Sequence, residues 1–197
     1  MNLKATAQPI KKFFGQGVCP YQFSFMLNLS LRKLILSPKK LADRLHLQSN
    51  YRVLEIGPGG GYFSVEVARR LPEGHLELLD IQPEMLDKAR KKLLKASVNN
   101  VSFKVADATN LPYENNTFDV VFMVAVLGEI PDKEKCLSSI YRVLKPGGLL
   151  SITEQPGDPD LVPLETIKTL AQNAGFELRE VFGRRKNFTV NFVKPSK

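Results

Sequence analysis

The chain has 197 residues, 43% of them hydrophobic, which suits one domain with a buried core and argues against disorder of the whole. Its net charge of +8 is confined to one region, because residues 1 to 52 contain nine lysines or arginines and a single acid, Asp43. The longest uncharged apolar stretch, 120 to 128, is far shorter than the roughly 20 residues that cross a bilayer, which excludes a membrane-spanning helix.

The two cysteines, Cys19 and Cys136, have no metal-ligand spacing, so no metal site is expected. The N-terminus has lysines but no apolar core leading to a small-residue cleavage site, which argues against a secretory signal. Together these features predict a cytoplasmic protein. Cys136 is expected to be a small buried side chain on a helix.

From residue 51 onward, short apolar runs alternate with amphipathic helical patterns, which is typical of a parallel sheet with helices on both faces. The predicted strands are 51–57, 75–81, 101–108, 117–126 and 149–154, the last preceded by a turn at 145–148. The predicted helices are 62–71, 82–96, 132–144 and 163–175. The apolar stripe of the second helix consists of Met85, Leu86, Ala89, Leu93 and Leu94.

The last segment breaks this alternation. Residues 176–185 and 187–195 are two strand patterns with no room between them for a crossover helix, so they are expected to pair as an antiparallel hairpin. The predicted fold is therefore α/β: a three-layer, doubly wound sheet of seven strands, mostly parallel, with an antiparallel strand in the C-terminal hairpin.

The turn after the first strand reads GPGGG, residues 57–61. Such a turn lies at the carboxyl edge of the sheet, where doubly wound folds bind ligands. A phosphate-binding P-loop is excluded because no lysine occurs between Arg52 and Lys88, and the dinucleotide fingerprint fails because Tyr62 stands where its third glycine belongs.

What remains is an acid, Glu55, followed by glycines at 57, 59 and 61, and this resembles the first motif of class I S-adenosylmethionine-dependent methyltransferases. Asp80, 19 residues past Gly61, resembles the family's ribose-binding carboxylate. The turn that follows the third strand resembles its adenine-binding segment. The resemblance implies S-adenosylmethionine as cofactor, bound by Glu55, Gly57, Gly59, Gly61, Asp80, Ile81, Asp107, Ala108 and Met123.

Three stretches, 52–69, 111–121 and 141–148, look like the group that includes the ubiquinone and menaquinone biosynthesis methyltransferases. One departure is that relatives often carry a histidine before the acid in the loop after strand four, whereas this chain has Gly128 before Glu129. This resemblance implies a small-molecule acceptor, lipid-like or quinone-like.

Several alternatives stay open at this stage. Asp107 is also a plausible turn or capping aspartate, and an acid at Asp80 is equally used by nicotinamide enzymes. A catalytically silent cofactor-binding protein and a methyltransferase acting on protein or RNA are the alternative functions. The motif of base-modifying enzymes, Asn or Asp followed by two prolines and an aromatic residue, is missing from the loop after strand four, which disfavours nucleic acid.

Methyl transfer is an in-line displacement that depends mainly on positioning. If a base is needed, Glu129 is the leading candidate by position, followed by Tyr21 and Tyr62. The two histidines, His46 and His75, are expected to be surface or packing residues.

Two regions are predicted. Residues 1–40 form a basic, helical substrate lid, and residues 41–197 form the cofactor-binding domain. The lid has an alternative interpretation as a peripheral contact with an anionic membrane surface, because aromatic and basic residues are interleaved in it.

Overall fold

The computed structural model describes residues 36 to 196. Seven strands form one sheet: Arg52–Ile56 (β1), His75–Asp80 (β2), Val101–Val105 (β3), Phe118–Val124 (β4), Leu144–Glu154 (β5), Glu177–Arg184 (β6) and Asn187–Val193 (β7). The α-helices of this region are Pro38–Arg44 (α1), Ser64–Arg69 (α2), Pro83–Lys95 (α3), Lys133–Val143 (α4) and Leu164–Asn173 (α5). Two short 3-10 turns, Ala108–Asn110 and Leu127–Glu129, follow β3 and β4.

The strand order is β3-β2-β1-β4-β5-β7-β6. All neighbours are parallel except β7, which runs antiparallel to both β5 and β6. The chain moves outward from β1 through β2 to β3, then returns to place β4 on the other side of β1. This reversal creates a crevice above the carboxyl ends of β1 and β4, the position where such sheets bind ligands.

Alternating side chains on the strands supply two separate cores. Leu54 and Ile56 of β1 face the layer of α4 and α5, whereas Val53 faces the layer of α1, α2 and α3. Four fully buried phenylalanines fill these two layers: Phe118, Phe122, Phe188 and Phe192. The predicted three-layer, seven-stranded α/β fold with an antiparallel C-terminal hairpin is confirmed.

Two local predictions are wrong. Leu94 is 64% exposed, so the stripe of α3 ends at Leu93. The expected turn at 145–148 is part of β5, where a register shift against β4 accommodates it and the N–H of Gly147 donates to the carbonyl of Lys194. The pairing with the C-terminus thus continues the strand through a sequence that favours a turn.

The proposed boundary at residue 40 lies inside α1, and Leu41 and Leu45 beside it are fully buried in the core. The rest of the predicted lid, residues 1–35, lies outside the described part of the chain. Among residues 36 to 196, no helix has the length and apolar character needed to cross a membrane.

Candidate functional site

A cavity of about 400 Å³ opens at the carboxyl ends of β1, β2 and β4, above the reversal in strand order. Its walls come from the turn after β1, the end of β2, the turn after β3 and the loop after β4. The lining includes most of the residues predicted from the sequence: Glu55, Gly57, Gly59, Asp80, Ile81, Asp107, Ala108 and Glu129. The fold therefore brings together residues that are up to 74 positions apart in the chain.

The three glycines of the turn after β1 all have left-handed backbone angles, with φ of +66° at Gly57, +54° at Gly59 and +72° at Gly61. Added side chains at these three positions would have different surroundings. At Gly57 a methyl group would lie 2.5 Å from Cγ2 of Val126, and at Gly61 it would lie 3.1 Å from the Cα of Ala89 on α3. At Gly59 it would meet nothing within 4 Å among the described residues, which leaves that direction open for a ligand.

Glu55 ends up beneath this turn because β1 leads directly into it. Its carboxylate is almost completely buried and accepts a hydrogen bond of 2.5 Å from the Ser64 hydroxyl at the start of α2. Burial raises the pKa of Glu55 to about 8, the Ser64 bond opposes the shift, and the charge of Asp80 adds to it. A positively charged ligand would stabilise the ionised form of this carboxyl.

Asp80 ends β2, and its carboxylate accepts the backbone N–H of Gln82 at 2.9 Å. Burial raises the pKa of Asp80, whereas the backbone N–H groups of Gln82, Ile81 and Gly59 act in the opposite direction. These donors fix the orientation of the carboxylate, and it still lines the cavity. The next side chain, Ile81, is 51% exposed, an unusual position for an apolar group that a flat ligand would cover.

Asp107 caps the 3-10 turn that begins at Ala108, because its carboxylate accepts the N–H of Thr109 at 2.8 Å. The capping role considered for Asp107 is therefore observed. The same side chain lines the cavity together with Ala106 and Ala108, so capping also holds it at the cavity wall.

Two residues proposed for cofactor binding do not line the cavity. Gly61 packs against α3, and Met123 is buried in the core between the sheet and α4. Tyr21 lies outside the described residues. The histidines are bonded elsewhere: His46 pairs with Glu180 at 2.6 Å, and His75 bonds the hydroxyl of Ser102 at 2.7 Å.

The sequence interpretation placed Glu129 of the loop after β4 in the site but missed the first residues of that loop as a wall of the cavity. Ala125 has a left-handed φ of +54°, which is rare for a residue with a side chain and turns the chain so that Val126 lies against Gly57. Val124, Ala125 and Val126 all line the cavity. The sequence feature that could have identified these residues is their position directly after β4, at the point where the strand order reverses.

Two sets of contacts hold this loop in place. Nζ of Lys133 donates to the carbonyls of Gly128 at 3.2 Å and Ile130 at 2.8 Å, on either side of Glu129. Gly128 also lies against the backbone of Asp160, in the loop after β5, at a spacing that leaves no room for a side chain. The position of Glu129 is thus fixed by contacts with α4 and with the neighbouring loop.

Glu154, the last residue of β5, is fully buried, and neither of its carboxylate oxygens completes a hydrogen bond of good geometry. Burial raises the pKa of Glu154 to about 8, and the charge of Asp158 adds to the shift. The backbone N–H of Val162 and the charge of Lys133 oppose it. Glu154 therefore carries a proton at neutral pH, beneath the loops that border the cavity.

A family model described as "Methyltransferase domain" matches residues 47–179. This range includes the strands β1, β2, β3 and β4 whose carboxyl ends build the cavity. The chain belongs to this methyltransferase-domain family. The resemblance to class I S-adenosylmethionine-dependent methyltransferases is confirmed.

Similar proteins support this assignment. A demethylmenaquinone methyltransferase of Listeria monocytogenes is 36% identical over 139 residues, which is 69% of this chain and 56% of the relative. An arsenite methyltransferase of Halobacterium salinarum is 30% identical over 148 residues, 66% of this chain and 38% of the relative. The chain thus matches little more than half, or less, of the length of these curated relatives.

The fold has a counterpart among solved structures. A SAM dependent methyltransferase from Aquifex aeolicus superposes with a TM-score of 0.81 at 23% identity, covering 88% of this chain and 98% of that protein. At this identity the match establishes the shared fold.

The contact between Gly57 and Val126 gives a first prediction. Gly57→Ala should lower the melting temperature, because the added methyl group would collide with Val126 and the alanine would have to adopt a left-handed φ. Adding Val126→Ala should recover part of the loss, with a coupling free energy of about 1–2 kcal/mol in a double-mutant cycle. Gly59→Ala is the matched control, since it shares the strain but meets no neighbour within 4 Å. Equal coupling at both glycines would contradict the proposed contact.

The raised pKa of Glu154 gives a second prediction. The carboxyl of an unfolded glutamate titrates near 4.3, so above that pH the folded state holds a proton on Glu154 that the unfolded state has lost. The stabilisation that follows from this difference is fully present below about pH 4. It is lost as the pH rises towards 8, by up to about 1.4 kcal/mol per pH unit. Between pH 5 and 8, urea unfolding of Glu154→Gln should therefore lose less stability than the wild type. Glu134→Gln, on exposed α4 surface, should follow the wild type, and parallel curves for all three proteins would refute the assignment.

Proposed function

We propose that this chain binds S-adenosylmethionine in the cavity above β1, β2 and β4 and transfers its methyl group to a small acceptor. The observation that carries the proposal is the open side of Gly59 beside two buried carboxylates, Glu55 and Asp80. A backbone without a side chain admits a ligand closely, and paired carboxylates in a buried site favour a ligand with a positive charge and hydrogen-bond donors.

The lining residues fit the parts of this cofactor. The turn of Gly57 and Gly59 and the buried Glu55 would hold the methionine portion, whose ammonium group compensates a desolvated carboxyl. Asp80 would accept hydrogen bonds from the ribose hydroxyls, with its orientation fixed by the backbone donors of Gln82 and Ile81. Asp107 and the backbone of Ala108 would contact the adenine, and Ile81 would cover its face.

When bound, the cofactor supplies an electrophilic methyl group on a positively charged sulfur. The work of the protein is to hold the acceptor in line with that bond and to exclude water. The loop from Val124 to Glu129 provides the wall for this, because it is fixed against Gly57 on one side and against Asp160 on the other. In this proposal Glu129 would remove a proton from the acceptor.

We infer that the acceptor is an electron-rich aromatic ring of the reduced-quinone type, with methylation at carbon. The support is the match to a demethylmenaquinone methyltransferase and the apolar lining beside Glu129, which includes Val126 and Ile130. In such a step a carbon–carbon bond forms as the sulfur–methyl bond breaks, and the ring loses one proton to a base. The lid of residues 1–40, its contact with a membrane surface and the role of Tyr21 belong to this proposal as predictions.

Cofactor binding is tested by calorimetric titration. Asp80→Ala should weaken binding of both S-adenosylmethionine and S-adenosylhomocysteine by more than about tenfold, since charge-assisted hydrogen bonds are lost. Asp87→Ala, an exposed carboxylate on α3, is the matched control and should bind as the wild type does. NAD should give no heat. Unchanged binding by Asp80→Ala would remove the basis of the proposed site.

Methyl transfer is tested with labelled S-adenosylmethionine and 1,4-naphthoquinone reduced by dithionite. The wild type should transfer label to the organic phase. Glu129→Gln should lower kcat by roughly 100-fold with the KM for the cofactor unchanged, because a base acts in the chemical step rather than in cofactor binding. Glu134→Gln serves as the control. Cofactor binding without any transfer to the naphthoquinol would show that the acceptor class is wrong.

A further inference from the structure

The sheet face that packs against α1 changes character between β4 and β5. On β1 and β4 this face carries Val53, Val120 and Phe122, whereas on β5 and β7 it carries Ser151, Thr153, Thr189 and Asn191, all buried. Thr153 pairs with Thr189, and Ser151 pairs with Asn191, in the antiparallel register. Among residues 36 to 196, the Ser151 hydroxyl and the amide oxygen of Asn191 find no hydrogen-bond partner. A polar strip of this kind is costly to bury.

Arg44, at the end of α1, places a positive charge on this strip. Its Nη1 donates to the Thr189 hydroxyl at 2.8 Å, which in turn lies 2.8 Å from the Thr153 hydroxyl. The guanidinium carbon lies 5.2 Å from the centre of the Phe182 ring, and burial lowers the pKa of Arg44. Within residues 36–196, no carboxylate comes within ion-pair distance of this guanidinium.

The surrounding acids are engaged elsewhere, because Asp43 pairs with Arg70 at 3.0 Å and Glu180 pairs with His46 at 2.6 Å. Residues 1 to 35 contain no aspartate or glutamate, so that segment offers no carboxylate partner either. Among residues 36–196, the partly buried charge of Arg44 thus has a hydroxyl and a ring as neighbours but no carboxylate partner. Such a charge is well suited to an anionic ligand.

Gln155 adds a second unsatisfied group. It is only 3% exposed, yet within the described part of the chain neither its amide oxygen nor its amide nitrogen has a hydrogen-bond partner. It follows Thr153 by two residues, the spacing that returns a side chain to the same face of an extended chain. A buried amide with both ends unpaired is among the groups that call for an explanation in a folded protein.

This polar strip begins on the strand next to one that lines the cofactor cavity, although its own side chains are not part of the lining. Thr153 pairs with Val124 of β4, and its carbonyl accepts the N–H of Ala125 at 2.8 Å. Val124 and Ala125 line the cavity. The strip therefore begins one strand away from the cavity wall, on the side of β4 opposite to the β1 and β2 residues that are proposed to hold the cofactor.

We propose that Arg44, Gln155 and the Thr153–Thr189 hydroxyl pair form an acceptor subsite for an anionic oxygen group, a carboxylate on the molecule that is methylated. The guanidinium supplies the counter-charge, and the amide nitrogen of Gln155 supplies a further donor. This proposal rests on the proposed methyltransferase function and predicts that, among aromatic acceptors, those that carry an acid group bind more tightly than those that lack one.

The test compares two ligands that differ only in the acid group, 1-hydroxy-2-naphthoate and 1-naphthol. Each is titrated by calorimetry into the full chain saturated with S-adenosylhomocysteine. The wild type should bind the naphthoate at least about tenfold more tightly than the naphthol. Gln155→Glu, which places a negative charge in the subsite, and Arg44→Gln should each abolish this preference. The matched control is Arg179→Gln on β6, which should keep it.

Equal affinity of the wild type for both ligands, or a preference that survives Gln155→Glu, overturns the subsite. Gln155→Glu decides the question alone if Arg44→Gln does not fold. Titration with inorganic phosphate alone distinguishes a general anion site from an acceptor subsite. Phosphate binding as tight as that of the naphthoate overturns the acceptor assignment. Absence of S-adenosylhomocysteine binding would instead refute the proposed function, so the two failures are distinguishable.

Discussion

The site depends on one steric constraint, the close approach of other elements to the backbone of the turn after β1. Val126 of the loop after β4 occupies the space beside Gly57, and Ala89 of α3 occupies the space beside Gly61. The N–H of Gly57 also donates to the carbonyl of Leu79 at 2.8 Å, which ties the turn to β2. Because three elements are fixed to one turn, the open side of Gly59 is the direction left for a ligand.

Burial of acids at the carboxyl edge of the sheet is the main electrostatic feature of this site. Glu55 and Asp80 lie on adjacent strands, and burial raises the pKa of both. Isolated buried carboxylates reduce stability when they ionise, so the arrangement favours a ligand that brings positive charge. The sulfonium and ammonium groups of the proposed cofactor meet this requirement. A nicotinamide dinucleotide, with its two phosphates, would bring further negative charge to the same edge.

The sequence predicted most of the fold because the signals concerned are local. The stripe of α3 and the close spacing of the last two strands each depend on neighbouring residues, and both were found. Leu94 was misplaced because two adjacent leucines leave the edge of a helical stripe undetermined. The role of Gly61 in packing on α3, and the meeting of Arg44 with Thr189, 145 positions away, depend on tertiary contacts that no local pattern encodes.

The distribution of charge across β4 gives the proposed reaction a direction. Of the residues that line the cavity, the buried acids Glu55 and Asp80 lie on β1 and β2, whereas Arg44, which has no carboxylate partner among residues 36–196, contacts β7 on the other side of β4. A cationic donor and an anionic acceptor would each be attracted to opposite sides of the same strand, with the Val124–Val126 loop between them. Exchange of the two binding positions would place like charges together at both sites. In the proposed reaction, this distribution of charge would orient the two partners before any catalytic group acts.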